Sequence, residues 1–393
     1  MAYPNQNYPD QAVVNRAATI TFQRKKQTNV IGIALLVVGG LVALLLGLLT
    51  LLVIGIDTGP VGFMIGMVAA TIPVPLYVIL VIWIDRYESE PFWMLATAFL
   101  WGALVAPFFA FLLNTIGQLA VAEIAGDKQA GEMYALVVSA PIVEESGKAA
   151  ILLIFFLFKK DEFDGVIDGI VYASLAALGF AMTENIHYYG TAALHGGGQL
   201  TLVFFIRGAM APFSHPLFTC MTGIGLGLAR QTNKLAVKLV TPLVGFMMAM
   251  CMHSIWNGSG ALFGGAGFLL IYIVIMVPAF LILLVVIAVS LRREGQVVRE
   301  YLMCDLQSGM LTQREYDQLG SIFGRMGSSF DALTRSGFKG WRTRKQFNQM
   351  ASELAFHRCR VARGLHSTQV DVREVEEAYV HILNQLLHNV RIR

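Results

Sequence analysis

Apolar residues run along this chain in long unbroken blocks, unlike the alternation of a strand or the one-sided stripe of a surface helix. A helix needs roughly 20 apolar residues to cross the hydrocarbon core of a bilayer. Blocks of that length recur over the first three quarters of the sequence: approximately Val30 to Ile56, Val61 to Ile84, Phe92 to Leu113, Met133 to Phe158, Gly165 to Tyr189, Leu200 to Ala229, Leu239 to Trp256 and Phe268 to Leu291. They predict an all-α membrane protein with about eight transmembrane helices. After Arg293 the blocks stop, and apolar residues return only at helical spacing in Thr312 to Phe323, Gln346 to Arg363 and Val370 to Leu387. The expected organisation is a disordered cytoplasmic N-terminus at 1–27, an eight-span membrane domain at 28–293 and a small cytoplasmic helical region at 294–393.

Composition agrees with this class: 56% of residues are hydrophobic and 14% charged, against about 25% charged in soluble domains. The net charge of +3 is too small to suggest nucleic acid as a partner; the placement of the basic residues says more. If eight spans alternate, Arg24, Lys25, Lys26, Arg86, Lys159, Lys160, Arg230, Lys234, Lys238, Arg292 and Arg293 share one side and only Lys128 lies opposite. By the positive-inside rule both termini are expected in the cytoplasm of a bacterial-type plasma membrane. The polar stretch before Arg24 lacks signal-peptide character. Cys220, Cys251, Cys304 and Cys359 have no metal-site or disulfide spacing and read as free thiols. Phe338 to Lys345 mixes basic and aromatic residues that could face anionic lipid, but it reads first as a solvated loop.

Ionisable residues change the picture most. The interiors of blocks one, two, three and eight carry none, whereas blocks four to seven hold Glu144, Glu145, Lys148, Glu184, His187, Arg207, His215 and His253. Intramembrane charge is costly and marks function, so four adjacent helices are expected to enclose one polar cavity. Glu145 lies 13 residues past Glu132 and 14 before Lys159, and His215 lies 16 past Gln199 and 15 before Arg230, so both fall near the midplane. Similar counting puts Glu184 and His253 between the midplane and the outer half.

Within Ala140 to Lys148, Lys148 can neutralise Glu145 at i, i+3 or Glu144 at i, i+4, leaving the other carboxylate to work; the spacing leans towards Glu144 as the free one. A carboxylate stripped of water suits a general base that takes a proton from water and passes it to a leaving amine. Pro212 and Pro216 around His215 must break the sixth helix, which is tolerated in a membrane only against protein or a cavity. Asn257, four residues after His253, and Asn185, beside Glu184, could orient these groups or meet an oxyanion. A buried ion pair that merely fixes packing would explain Lys148 and one glutamate but not the second. For Arg207 and His187 the structural role is the stronger reading.

Other intramembrane chemistries fit less well. The chain has no HExxH, only an approximate GxSG at Asn257 to Gly260, no GxGD around Asp168, and a single Glu-x-x-His at Glu184 and His187 where a di-iron bundle uses two. Transporter-like repeated halves are missing. Ala140-Pro-Ile-Val-Glu-Glu-Ser-Gly-Lys148 resembles the EExxK motif of the PrsW intramembrane proteases, and Phe180 to Asn185 resembles their FxxxE element. Asp85 to Pro91 resembles their acidic loop, and His215 with His253 to Asn257 is similar to their later histidine elements, the last also to the HxxxN of CAAX prenyl endopeptidases. The likeness runs over roughly Ile72 to Asn257; the family's FxxxH spacing is not kept, since Ala211 and Ala249 precede the histidines by four.

The resemblance implies an intramembrane endopeptidase acting on membrane proteins such as a single-span anti-sigma factor. It implies two mechanisms. In one, His215, His253 and a carboxylate such as Glu184 bind Zn2+ while Glu144 or Glu145 activates water. In the other, a glutamate acts without metal and the histidines with Asn257 stabilise the oxyanion. The rival from another class is a non-catalytic receptor or transporter that uses the same cavity.

Overall fold

A computed structural model describes residues 30–160, 162–364 and 371–391; the disorder expected for 1–27 lies outside them. Every regular element among the described residues is a helix. In chain order they are α1 Val30–Thr71, α2 Val74–Ile84, α3 Phe92–Ala125, α4 Lys128–Tyr134, α5 Ala140–Phe158, α6 Val166–Leu194, α7 Gly197–Phe204, α8 Ser214–Arg230, α9 Leu235–Ile271, α10 Val277–Tyr301, α11 Met303–Gln307, α12 Gln313–Leu319, α13 Ile322–Ala362 and α14 Val372–Arg391. π turns at Ala135–Ser139, Phe205–Met210 and Tyr272–Met276 follow α4, α7 and α9.

Among the described residues four stretches are long and apolar enough to cross a membrane: Val37–Ile84, Phe92–Ala125, Val166–Leu194 and Leu235–Tyr301. The first holds 48 residues and the last 67, and straight helices of those lengths would reach roughly 70 and 100 Å, far beyond a hydrocarbon core of about 30 Å. Each is folded at a glycine. Gly59 (φ +66°) breaks α1 just before Pro60, and Gly264 (φ +64°) breaks α9; both positions need the left-handed backbone that glycine adopts without strain. These breaks fall between predicted blocks one and two and between blocks seven and eight. Predicted block four corresponds to the π turn Ala135–Ser139 followed by α5, which carries Glu144, Glu145 and Lys148. Block six is two pieces, α7 with its π turn and α8, interrupted at Ala211 to Phe213 beside Pro212.

The chain parts into two compact units, one of Leu36–Asp85 with Glu90–Ala288 and one that includes Arg86–Ser89 and Val289–Arg393. In the first, α6 is the axis: 94% of its apolar window is buried, against 17% and 11% for the two long outer stretches, whose leucines and valines lie open to an apolar surrounding. Small residues let helices reach α6. A Cβ on Gly169 of α6 would collide with the backbone of Gly223 of α8, and one on Gly223 with that of Gly169, the close approach typical of membrane helix pairs. This contact holds the helix bearing Glu184 against the helix bearing His215.

In the second unit Arg358 of α13 meets Asp305 at 2.5 Å and Glu376 of α14 at 2.7 Å. Arg325 donates to Ser352 and to the carbonyls of Asn348 and Arg86, and Arg360 pairs with Glu88 at 2.8 Å, so α13 grips the segment Arg86–Ser89. Phe338 to Lys345, expected as a solvated loop, is instead helical within α13. The turn signal there is Gly337 alone (φ +64°), after which Arg344 and Phe347 bury and Phe338 stacks on Trp341.

In the first unit the buried Asp85 carboxylate accepts the Glu90 backbone N–H at 2.7 Å, and the Tyr172 hydroxyl donates to Glu90. Burial pushes Asp85 up to about 7, the Glu90 N–H opposing it, and burial with the nearby Asp168 pushes Glu90 up to about 12. Ordinary carboxyls lose their proton near pH 4. The native chain thus keeps protons that the unfolded chain has released, so this stability is present at low pH and falls as pH rises towards 7. Melting curves of detergent-solubilised protein between pH 5 and 7 should slope downward, and Asp85→Asn should make the slope shallower; an unchanged slope in that variant contradicts the assignment.

Candidate active site

The α5 helix starts at Ala140 with Pro141 in its first turn, where a missing N–H costs nothing. One turn on, Glu144, Glu145 and Lys148 are all buried, the last two completely. Burial without partners would be prohibitive for such groups, so their contacts define the site.

Glu145 is saturated. One oxygen takes the Lys148 ammonium at 2.6 Å and His253 Nδ1 at 3.0 Å, and the other accepts from the Thr219 hydroxyl at 2.8 Å. Lys148 also donates to His215 Nδ1 at 3.2 Å and lies 4.4 Å from the Phe180 ring centre. His215 Nε2 in turn donates to Glu184 at 2.8 Å, and Arg207 holds the same Glu184 oxygen at 2.5 Å while donating to Asn185 and stacking over Tyr188. A chain of charge-assisted contacts therefore ties α5, α6, α8, α9 and the π turn after α7 together.

Glu144 differs. Its Oε2 is buried without a hydrogen-bond partner, 3.8 Å from His253 Nε2 and 4.0 Å from Lys148 Nζ. Glu144, His215 and His253 each offer a ligand atom, all within 4.8 Å of one another. Each histidine has a glutamate on one nitrogen, His253 Nδ1 on Glu145 and His215 Nε2 on Glu184; this turns His253 Nε2 towards Glu144, whereas His215 Nδ1 accepts from Lys148 and would exchange that contact for a cation. One carboxylate oxygen, orphaned and buried beside two such imidazoles, suits a divalent transition metal.

Glu144, Glu145, Lys148, Glu184, His215 and His253 thus come together. Asn257 does not join them: its amide donates to the Leu136 carbonyl at 2.9 Å, as Ser254 does to Val137 at 2.6 Å, so both brace α9 against the π turn before α5. His187 pairs with Asp57 at 2.7 Å, away from the cluster. Thr219 is the group that sequence reading missed; its signal was position, one turn after His215 on the same face of α8.

A buried carboxylate, two oriented imidazoles and a paired lysine inside a helical membrane bundle define a hydrolase of the intramembrane class. A family model described as PrsW family intramembrane metalloprotease matches residues 90–283. The chain is 32% identical over 175 residues to Protease PrsW of Geobacillus kaustophilus, covering 44% of this chain and 69% of that protein. It is 29% identical over 194 residues to Protease PrsW of Oceanobacillus iheyensis, covering 49% and 82%. To Protease PrsW of Bacillus subtilis it is 29% identical over 177 residues, covering 44% and 71%. The chain belongs to the PrsW family of intramembrane metalloproteases, and is an integral membrane peptidase. No solved structure matches it.

Lys148→Met strands the fully buried Glu145 and should cost about 3–5 kcal/mol of stability. Glu144→Gln removes no hydrogen bond from its Oε2 and should leave the melting temperature nearly unchanged. Thermal denaturation of both variants decides this, and equal losses would contradict the division between a structural and a free glutamate.

Proposed function

We propose that this protein cleaves single-span membrane proteins, anti-sigma factors among them, with Glu144 as the general base. The observation that carries this reading is the orphaned Glu144 oxygen facing His253 inside the buried cluster. In this reading the chain crosses the membrane eight times, twice in each glycine-broken stretch, once each in α3, α5 and α6, and once in α7 with α8. Both termini then lie in the cytoplasm, with 294–393 as a cytoplasmic helical region and the polar cavity bounded by the four helices that carry the charges.

His215 and His253 are the residues that hold a metal, zinc being the ion that imidazole and carboxylate donors suit best. When bound, such an ion supplies Lewis acidity for hydrolysis. Glu184, expected as a ligand from sequence, acts in this reading behind His215, because its carboxylate accepts the imidazole N–H and is held by Arg207. Glu145 acts behind His253 in the same way. Glu144 takes a proton from water as the oxygen adds to the scissile carbonyl carbon. It returns that proton to the amide nitrogen as the C–N bond breaks, so both products leave with atoms and charge balanced. Lys148 keeps Glu145 ionised and in place, and its charge lies close enough to favour negative charge developing on the carbonyl oxygen.

Cleavage of a single-span test substrate, paired with elemental analysis, tests the assignment. Glu144→Gln should keep its zinc and lose about 10²- to 10⁴-fold in rate, whereas His215→Ala and His253→Ala should lose metal and cleavage together. Full cleavage by Glu144→Gln would end the general-base role; loss of zinc from that variant would make Glu144 a ligand instead.

A further inference from the structure

The second unit lies outside the family match, which ends at residue 283, and it contains a cavity of about 220 Å³ between α12, α13 and the end of α14. Four arginines line it: Arg314, Arg335, Arg344 and Arg391. Two are neutralised in place, Arg391 by Glu315 at 2.6 Å and Arg335 by Asp331 at 2.8 Å. The other two have no carboxylate partner among the described residues.

Arg344 is the unusual one. It is only 6% exposed, yet among the described residues its hydrogen bond goes to the neutral Gln318 side chain at 2.8 Å, and its buried Nε meets no partner there. A buried guanidinium normally has a carboxylate or phosphate fork to meet it. Burial pulls Arg344 down to about 10, with the Glu315 and Asp331 carboxylates opposing it and the Arg314 charge acting in the same direction. Arg314 is exposed at the mouth of the same cavity. Thr312 and Thr343 add hydroxyls to the lining. The cavity therefore carries four guanidinium groups against the carboxylates of Glu315 and Asp331, an excess of two positive charges, beside neutral donors.

We propose that this cavity binds the dianionic phosphate of a small phosphomonoester, with Arg344 holding the phosphate oxygens from below and Arg314 closing on them from the rim. A phosphate monoester carries nearly two negative charges at neutral pH and several strong acceptor oxygens, which matches the two free guanidinium groups in charge and in hydrogen-bonding capacity. A ligand there bridges α12, α13 and α14, and α13 is the helix that grips Arg86–Ser89.

The test uses the full chain in detergent, with inorganic phosphate and glycerol phosphate as probes against chloride at matched ionic strength, read by thermal shift and calorimetry. Phosphate should raise the melting temperature saturably, and Arg344→Gln should weaken binding about tenfold or more. Because a buried arginine can matter for folding, Arg314→Gln is the second variant; it should keep the unliganded melting temperature and still weaken binding about tenfold. Phosphatidic acid vesicles that displace glycerol phosphate, where phosphatidylcholine vesicles do not, would identify the source as a lipid headgroup; no displacement by either would identify a soluble phosphomonoester. A wild type indifferent to phosphate, or an Arg314→Gln variant that binds it as well as wild type, overturns the proposal.

Discussion

The contact on which the site depends is the ion pair of Lys148 and Glu145, two charges with no exposed surface inside a membrane helix bundle. Each alone would be intolerable there, and together they are stable only because every remaining donor and acceptor is met. Thr219 fills the second Glu145 oxygen, His253 shares the first, and Lys148 spends a further proton on His215. The two helices that supply those groups, α8 and α9, are thereby held in one register around α5. Packing enforces the same register independently, because the glycine contact between α6 and α8 leaves no room for a shift along the pair.

Saturating one glutamate is what frees its neighbour. Residues adjacent on a helix point about 100° apart, so a lysine three residues on reaches Glu145 closely and Glu144 only at 4.0 Å. Glu144 then faces His253 with an oxygen that nothing in the protein satisfies. The same spacing explains why two glutamates in sequence are not redundant: one holds the architecture and the other is left open for chemistry.

Much of this was legible before any coordinates. Helical blocks follow from apolar length, and the co-location of Glu145, Glu184, His215 and His253 follows from counting residues to the ends of each block. Other features were hidden for identifiable reasons. At Gly59 and Gly264 the gap between apolar blocks was legible, but the left-handed backbone that breaks each helix there was not. Asn257 sits at the right depth beside His253 yet turns to a backbone carbonyl, because spacing along a helix gives the face but not the hydrogen bond a side chain chooses. Phe338 to Lys345 looked like a loop because half of it is charged. Its helical path with Arg344 buried beside Gln318 of α12 is a tertiary effect that no local pattern encodes.

Charge balance ties the metal and the base together. The cluster brings Glu144, Glu145 and Glu184 against Lys148 and Arg207, three formal negative charges against two positive. Glu145 and Glu184 each have a cation in direct contact, at 2.6 and 2.5 Å, so the imbalance falls on Glu144. In a low-dielectric interior that charge must be met by a proton or by a cation held nearby. A group that alternates between those two states is what a hydrolytic general base has to be. With a cation beside it Glu144 is ionised and able to accept a proton from water; once protonated it is the neutral acid from which the leaving amine can recover that proton.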